Sequence, residues 1–152
     1  MEKIERDRCL YFKRGLKYQT TRDFNIKLSL PLPDGTIQTV IPYAPVKCDY
    51  FSLDMQGNAV IYKKYGWNGA SGPTYDTLNS MIGSLVHDFG YQLIRLGLID
   101  PKYKELFDQM LHDLCIEDGM WEWRADYWQW AVLNFGAGSC RPSAEPQEQV
   151  AP

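Results

Sequence analysis

The sequence has little net charge and no block of basic residues. Its 152 residues include 16 Lys and Arg and 19 Asp and Glu, which gives a formal net charge of −3. Nucleic-acid-binding proteins owe much of their affinity to basic side chains that neutralise phosphates. We therefore expect no nucleic-acid partner.

Long apolar runs are also missing. No run approaches the roughly 20 residues that a membrane-spanning helix needs, and the first eight residues are too charged for a signal peptide. These absences predict a protein without a transmembrane segment, synthesised in the cytoplasm.

The four cysteines, Cys9, Cys48, Cys115 and Cys140, form no Cys-x-x-Cys pair. This spacing disfavours a zinc cluster. It leaves two interpretations: free thiols in a reducing compartment, or one disulfide.

Residues 1–66 are predicted to be β-rich. Ile26, Leu28 and Leu30 alternate with polar neighbours, which is the period-two pattern of a half-buried strand. A turn is expected at residues 31–35, where proline and glycine cluster. Further strands are expected at residues 36–41, 50–53 and 59–62, the last two as a hairpin around residues 56–58. The pattern indicates a small antiparallel sheet.

Residues 67–73 contain small residues and a proline within seven positions. Such a segment forms a loop whose backbone can approach a ligand closely. The alternative is an ordinary connection between a strand and a helix.

A first helix is predicted from a cap at Asp76 or Thr77 to Leu96. Its apolar stripe consists of Leu78, Ile82, Leu85, Phe89 and Leu93. The other face is small and polar rather than rich in Lys and Glu, so we expect the helix to be covered on both sides. His87 and Asp88 on this face then need specific partners.

A second helix is predicted to begin with Asp100 as cap and Pro101 at the first position, and to end at Gly119. Its apolar stripe consists of Tyr103, Phe107, Met110, Leu111 and Leu114. So short a connection implies an antiparallel helix pair. His87 and Asp108 are equally far in sequence from the turn centre, so they are expected to lie level with one another.

A third helix is predicted over residues 121–135, ended by Gly136. Trp128, Ala131, Val132 and Phe135 are expected to pack against the domain. The alternative is that the helix contacts a partner or a membrane surface, since Trp and Tyr suit half-wet interfaces. From Ser139 onward the Pro, Glu and Gln content predicts a flexible tail. The sequence thus predicts a single α+β domain over residues 1–138, with a β-rich part at 1–66 and a loop plus three helices at 67–138, followed by a tail at 139–152.

The polar face of the first helix carries groups that suit hydrolysis. Consecutive helical residues point about 100° apart, so His87 and Asp88 address different neighbours. His87 can take a proton from water while Asp108 fixes its tautomer. Asp88 can bind a hard cation together with loop carbonyls, and the cation can stabilise an ester oxyanion.

This pattern resembles the active site of secreted phospholipase A2 enzymes, especially the compact microbial ones. The resemblance rests on residues 87–91, which match the family's His-Asp-x-x-Tyr pattern, and on Asp108 of the next helix. It implies that His87 is the base, that Asp108 orients it and that Tyr91 supports the pair. It also implies a calcium ion held by Asp88 and by the loop at Asn68 and Gly69, where Asn68 stands in place of a charged ligand.

A second resemblance covers more of the chain. The chain is similar to an uncharacterised family of small proteins of tailed bacteriophages and prophages. The similarity rests on residues 65–74, 84–88, 91, 117–120 and 124–125. Members combine a β-rich N-terminal part, an Asp/Asn-Gly-Ala/Pro-Ser loop and a His-Asp helix. The resemblance implies a phage origin and no particular activity.

Three functional hypotheses follow. The first is a calcium-dependent lipid or ester hydrolase that acts on bacterial envelope lipid. The second is a non-catalytic phage protein in which His87, Asp88 and Asp108 form a buried structural network. Such a protein is either a virion or tail component that contacts other phage proteins, or an assembly or host-takeover factor.

The third hypothesis is a different hydrolase. A metallophosphohydrolase is disfavoured because it needs another histidine upstream of His87, whereas the second histidine, His112, lies downstream. His112 itself is expected to be exposed or to pair helices.

Overall fold

The alternating segments of the N-terminal part form short strands, and the three periodic segments that follow form helices. The computed structural model describes residues 3–7, 9–10, 12–14, 17–69 and 76–144. The strands are β1 (Phe12–Arg14), β2 (Tyr18–Thr20), β3 (Phe24–Lys27), β4 (Ser29–Pro31), β5 (Ile37–Thr39), β6 (Val46–Lys47), β7 (Phe51–Leu53), β8 (Asn58–Ile61) and β9 (Gly66–Trp67). The helices are α1 (Met81–Arg95), α2 (Lys104–Glu117) and α3 (Glu122–Phe135). The predicted α+β class is confirmed.

Within the described ranges, the strands form three small antiparallel sheets. Their orders are β1-β2-β9, β3-β8-β7-β6 and β4-β5. Residues 24–31 serve two of these sheets, because β3 pairs with β8 and β4 pairs with β5. Ile26, Leu28 and Leu30 point into the core, as their alternation predicts.

The predicted hairpin is β7 and β8, whose register places Leu53 opposite Ala59. The Asp54 carboxylate accepts hydrogen bonds from the backbone N–H groups of Gln56 and Asn58, which is the local bonding that favours Asp at turns. Gly57 has φ +81° and lies against Thr39, so a side chain at this position would meet both strain and a clash.

Short 3₁₀ turns precede α1 and α2. The turn Leu78–Ser80 leads into α1, and the backbone N–H of Thr77 donates to the Ser80 hydroxyl. The turn Pro101–Tyr103 leads into α2, and the Asp100 carboxylate accepts from the N–H of Lys102 at 2.8 Å. These caps confirm the predicted starts of both helices.

α1 and α2 form the predicted antiparallel pair and approach each other closely at glycines. A Cβ built on Gly90 would lie 2.3 Å from the ring of Phe107, and one built on Gly83 would lie 2.9 Å from the Cys115 sulfur. The connection between the helices turns at Gly97, which has φ +70°. This close packing brings the polar face of α1 against α2.

One hydrophobic core contains residues from the sheets and from the first two helices. Phe89 of α1 contacts the rings of Phe51 and Tyr65, with centroids 5.1 and 6.3 Å apart. α1 is therefore covered by the sheets on one side and by α2 on the other, as its composition predicts. The predicted stripes are wrong at two positions: Leu78 is 82% exposed because it precedes the α-helical phase, and Phe135 is 71% exposed at the end of α3.

The chain continues past α3 as two 3₁₀ turns, Ala137–Cys140 and Pro142–Ala144. The Arg95 guanidinium donates to the Ser139 carbonyl, so the start of the predicted tail contacts α1. Residues 145–152 of that predicted tail lie outside the described residues.

Two further expectations concern cysteines and membranes. All four cysteines are free thiols, and burial raises the pKa of Cys115 to about 12. No helix in the described part of the chain is long and apolar enough to cross a membrane.

Candidate active site

The helix pair brings His87 next to Asp108. Nε2 of His87 lies 2.8 Å from Oδ1 of Asp108, which confirms the prediction that the two residues lie level. A carboxylate only accepts hydrogen bonds, so Nε2 carries a proton and Nδ1 is the lone-pair nitrogen of the neutral ring. Nδ1 is therefore the nitrogen that can act as a base.

Asp108 is fully buried and uses both of its oxygens. The Tyr91 hydroxyl donates to Oδ1 at 2.6 Å and the Lys104 ammonium donates to Oδ2 at 2.7 Å. Burial raises the pKa of Asp108, but the hydrogen bonds from His87, Lys104 and Tyr91 outweigh it and hold the pKa below its ordinary value. Burial, and then the bond to Asp108, raise the pKa of Tyr91, so its hydroxyl stays a donor. These bonds thus favour the charged form of the carboxylate and fix its orientation.

Lys104 is a member of this network that the sequence analysis missed. It is four residues before Asp108, a spacing that places the two side chains on one helix face. Its ammonium also donates to the Val132 carbonyl at 3.3 Å. Lys104 therefore connects the His87–Asp108 pair to α3.

His87 is almost completely buried, and its two ring nitrogens differ in their partners. His87 is 7% exposed, and among the described residues no hydrogen-bond partner contacts Nδ1. In the same part of the chain, no buried side-chain nitrogen or oxygen lacks a partner. Nδ1 is therefore the ring nitrogen that no described side chain or backbone group occupies.

Asp88 faces the loop rather than Asp108. The backbone amide of Asn68 lies close enough to its carboxylate to lower its pKa. Burial raises the pKa of Asp88 to about 6, although the nearby His87, the Asn68 N–H and Arg95 act in the opposite direction. Asp88 and Asn68 are thus brought together, as the sequence analysis predicts.

Asp76 is a second carboxylate near Asp88 that the sequence analysis considered only as a helix cap. Its negative charge contributes to the raised pKa of Asp88. It accepts a hydrogen bond from the Tyr18 hydroxyl at 2.6 Å. A Cβ built on Gly69 would lie 2.6 Å from both an Asp76 oxygen and the Tyr18 ring. Gly69, at φ +71°, therefore lets the loop backbone pass directly beside this carboxylate.

We call the region around Asp88, Asp76, Asn68 and Gly69 the calcium corner. Its oxygen atoms suit a hard cation such as calcium. Asp88 and Asp76 offer carboxylate oxygens, and Asn68 and Gly69 bring the loop backbone to them. No group of three or more His, Cys, Asp or Glu side chains with metal-binding geometry occurs among the residues that the structure describes. Further ligands would have to be carbonyls or water. Ala70, Ser71, Gly72 and Pro73 of the predicted ligand loop lie outside the described residues.

An apolar cavity of about 430 Å³ lies beside the C-terminal end of α1. Residues 43–48 and the turn at residues 96–98 line it together with Phe51. None of the predicted site residues is in its lining, so the chemistry of the candidate site and this cavity are separate features.

Comparisons with protein-family models, with curated proteins and with solved structures each found no match. The two resemblances drawn from the sequence therefore stay predictions. The function must be argued from the geometry of the site itself.

Proposed function

We propose that this protein hydrolyses lipid esters with His87 as general base, in the manner of the phospholipase A2 pattern that residues 87–91 resemble. One observation supports this most: Nε2 of His87 is held by the buried, charged Asp108, while Nδ1 has no hydrogen-bond partner among the described residues. A general base needs a fixed tautomer and a ring nitrogen that no other group already occupies.

The reaction that this arrangement supports is attack by water on an ester carbonyl. Nδ1 takes a proton from the water as its oxygen bonds to the carbonyl carbon, and the imidazolium returns that proton to the leaving alcohol oxygen as the ester bond breaks. Asp108 stabilises the imidazolium without taking the proton. Tyr91 and Lys104 keep the carboxylate in place, so its orientation is set before substrate binds.

We further propose that a calcium ion binds at the calcium corner, next to His87. Asp88 and Asp76 would hold the ion together with the backbone at Asn68 and Gly69. When bound, calcium supplies electrostatic stabilisation of the oxyanion. The raised pKa of Asp88, about 6, still leaves its carboxylate ionised at neutral pH and available as a ligand.

The predicted phage origin points to the bacterial envelope as the source of the ester. Phospholipid is the ester-bearing component that matches the resemblance of the site. Cytoplasmic calcium is too scarce for a weak calcium site, so we propose action in the virion, in the periplasm or outside the cell.

A second candidate function is a non-catalytic phage protein in which the same cluster fixes helix packing. The observation that favours it is the completeness of the network: Asp108 is 0% exposed and every one of its oxygens has a donor. Fully satisfied buried polar networks specify a unique core even without chemistry.

Fatty-acid release from phospholipid vesicles, in calcium and in chelator, distinguishes the two candidates. His87→Gln tests the base, and His112→Gln is the matched control at the second histidine. Loss of a general base lowers the rate by about 10²- to 10⁴-fold, so we expect calcium-dependent release by the native protein and by His112→Gln but not by His87→Gln. Equal release by His87→Gln and native protein, or none by either, would exclude the hydrolase. In the latter case, a lowered unfolding free energy of His87→Gln supports the structural role.

A further inference from the structure

His112 lies between two carboxylates at the contact of α2 with α3. Its Nδ1 is 2.9 Å from Oδ1 of Asp113 on α2, and its Nε2 is 2.8 Å from Oδ1 of Asp126 on α3. Both partners accept hydrogen bonds when ionised, so the ring needs an N–H on each nitrogen. Only the doubly protonated imidazolium provides both.

We propose that His112 is a pH-sensitive pin: as an imidazolium it holds α3 against α2, and it releases α3 when it loses its proton. The sequence alone predicts only that this histidine is exposed or pairs helices. The inference does not depend on the proposed hydrolysis.

The two carboxylates differ in burial, which determines which bond breaks first. Asp113 is 8% exposed and also accepts from the Gln109 amide at 2.9 Å, whereas the Asp126 side chain is 61% exposed. A buried carboxylate left without a donor is more costly than an exposed one that water can solvate. A neutral ring therefore keeps its single N–H for Asp113 and presents a lone pair to Asp126.

Other contacts also join α2 and α3. The Gln129 amide of α3 donates to the Gln109 carbonyl oxygen of α2 at 2.7 Å, and the Lys104 ammonium of α2 donates to the Val132 carbonyl of α3 at 3.3 Å. Leu111 and Cys115 of α2 form one buried cluster with Ala125 and Trp128 of α3. The charged groups that act on the ring are Asp113 from α2 itself and Asp126 from α3, and α1 contributes none to the shift. Burial lowers the pKa of His112, but the bonds to these two carboxylates outweigh it and raise the pKa above its ordinary value.

The raised pKa of His112 determines how the stability of the fold depends on pH. A histidine whose pKa is raised in the folded state stabilises the fold below its unfolded pKa, near 6.5. That contribution disappears as the pH rises through the folded-state pKa. The pin is therefore closed in mildly acidic solution and opens toward alkaline pH.

α3 carries most of the exposed aromatic side chains among the described residues. Trp123, Tyr127 and Trp130 lie on the outer side of α3, and the Val132 carbonyl of the same helix accepts from Lys104. Release of α3 would change the presentation of this aromatic surface and the support of Lys104.

Proton NMR of the two histidine rings in the full chain tests the charge. His112→Gln assigns the resonances, Asp126→Asn removes the α3 partner, and Glu122→Gln removes an equal charge elsewhere on α3. We expect His112 to titrate above 6.5 in the native protein and in Glu122→Gln, and closer to 6.5 in Asp126→Asn. Titration at or below 6.5 in the native protein, or no change in Asp126→Asn, would overturn the proposal.

Hydrogen exchange of the α3 amides tests the release. We expect their protection factors, relative to those of α1, to fall about two- to fivefold between about pH 6 and about pH 9, as the loss of a partly exposed charged bond allows. In Asp126→Asn the factors are expected to be low at both values. Protection that is independent of pH in the native protein would show that the pin does not govern α3. Asp126→Asn retains the ring, so it tests the contact independently of His112→Gln.

Discussion

The ammonium of Lys104 lies 2.7 Å from Oδ2 of Asp108, while His87 and Tyr91 bind the other oxygen of the same carboxylate. One buried charge thus holds three side chains from two helices. The role of each can be separated by substitution.

Asp108→Asn removes the charge and leaves the volume unchanged. Lys104 then lacks a counter-ion, and because its side chain is 20% exposed it can turn partly toward water. We expect a loss of about 2–3 kcal/mol in the unfolding free energy at neutral pH, measured by urea denaturation. Asp126→Asn, at an exposed carboxylate, is the control and should lose less than about 1 kcal/mol. Equal losses for the two variants would contradict the central role of Asp108.

The contribution of Asp108 is expected to depend on pH on the acid side only. Because its folded-state pKa is lowered, its stabilisation is complete above the unfolded value near 3.9 and disappears as the pH falls through the folded value. The difference in unfolding free energy between native protein and Asp108→Asn should therefore persist at about pH 5 and shrink below about pH 4. A difference already absent at pH 5 would show that the carboxylate is not held ionised.

Tyr91→Phe removes one of the two donors to Oδ1 of Asp108. We expect a loss of about 1 kcal/mol in stability and, where the protein hydrolyses ester, a lower kcat with KM unchanged. Tyr65→Phe is a matched control, because the Tyr65 hydroxyl also donates at 2.6 Å, to Gln92. If Tyr65→Phe lowers kcat equally, the effect of Tyr91 is one of packing alone.

Gly90→Ala tests the close contact of α1 with α2. The new Cβ would lie 2.3 Å from two atoms of the Phe107 ring, and this buried ring cannot move away without disturbing the core. We expect a destabilisation of about 2–3 kcal/mol by thermal or urea unfolding, despite the better helix propensity of alanine. Gly138→Ala, whose Cβ would meet nothing within 4 Å, should change stability by less than about 0.5 kcal/mol.

Gly69→Ala tests the calcium corner. The residue has φ +71°, and a Cβ there would press on Asp76 and Tyr18, so the loop must move away from the carboxylate. We expect the rise in thermal stability on calcium addition to be lost, while Gly97→Ala, at φ +70° in open space, retains it. Unchanged calcium stabilisation in Gly69→Ala would place the ion elsewhere.

The helices were predictable because local signals agree with the packing. Thr77 and Asp100 lie at the starts, and the apolar periods of α1 and α2 bury the residues that they predict. The failure at Leu78 has a local cause, since three residues of 3₁₀ geometry shift the phase before the α-helix begins. The failure at Phe135 arises because α3 packs against α2 and leaves the end of the stripe in solvent.

The site was only partly predictable. The short helix connection was sufficient to align His87 with Asp108. Lys104 was missed although its spacing from Asp108 is a known helical pairing, and Asp76 was missed because a cap is the commoner role of Asp before a helix. The proximity of the Asn68 amide to Asp88 and the approach of Gly69 to Tyr18 join segments far apart in sequence, and a sequence pattern contains no information about such contacts.

The sequence by itself determined the α+β class, the helix limits and the His87–Asp108 pairing, because each depends on periodicity or on a turn a few residues long. Tertiary structure alone decided that Asp108 receives three donors, that Asp76 lies near Asp88, and that His112 is placed between Asp113 and Asp126. The physical reason is that burial and the partners of a charge depend on where separate elements meet, and the free energy of that arrangement is shared among all of them.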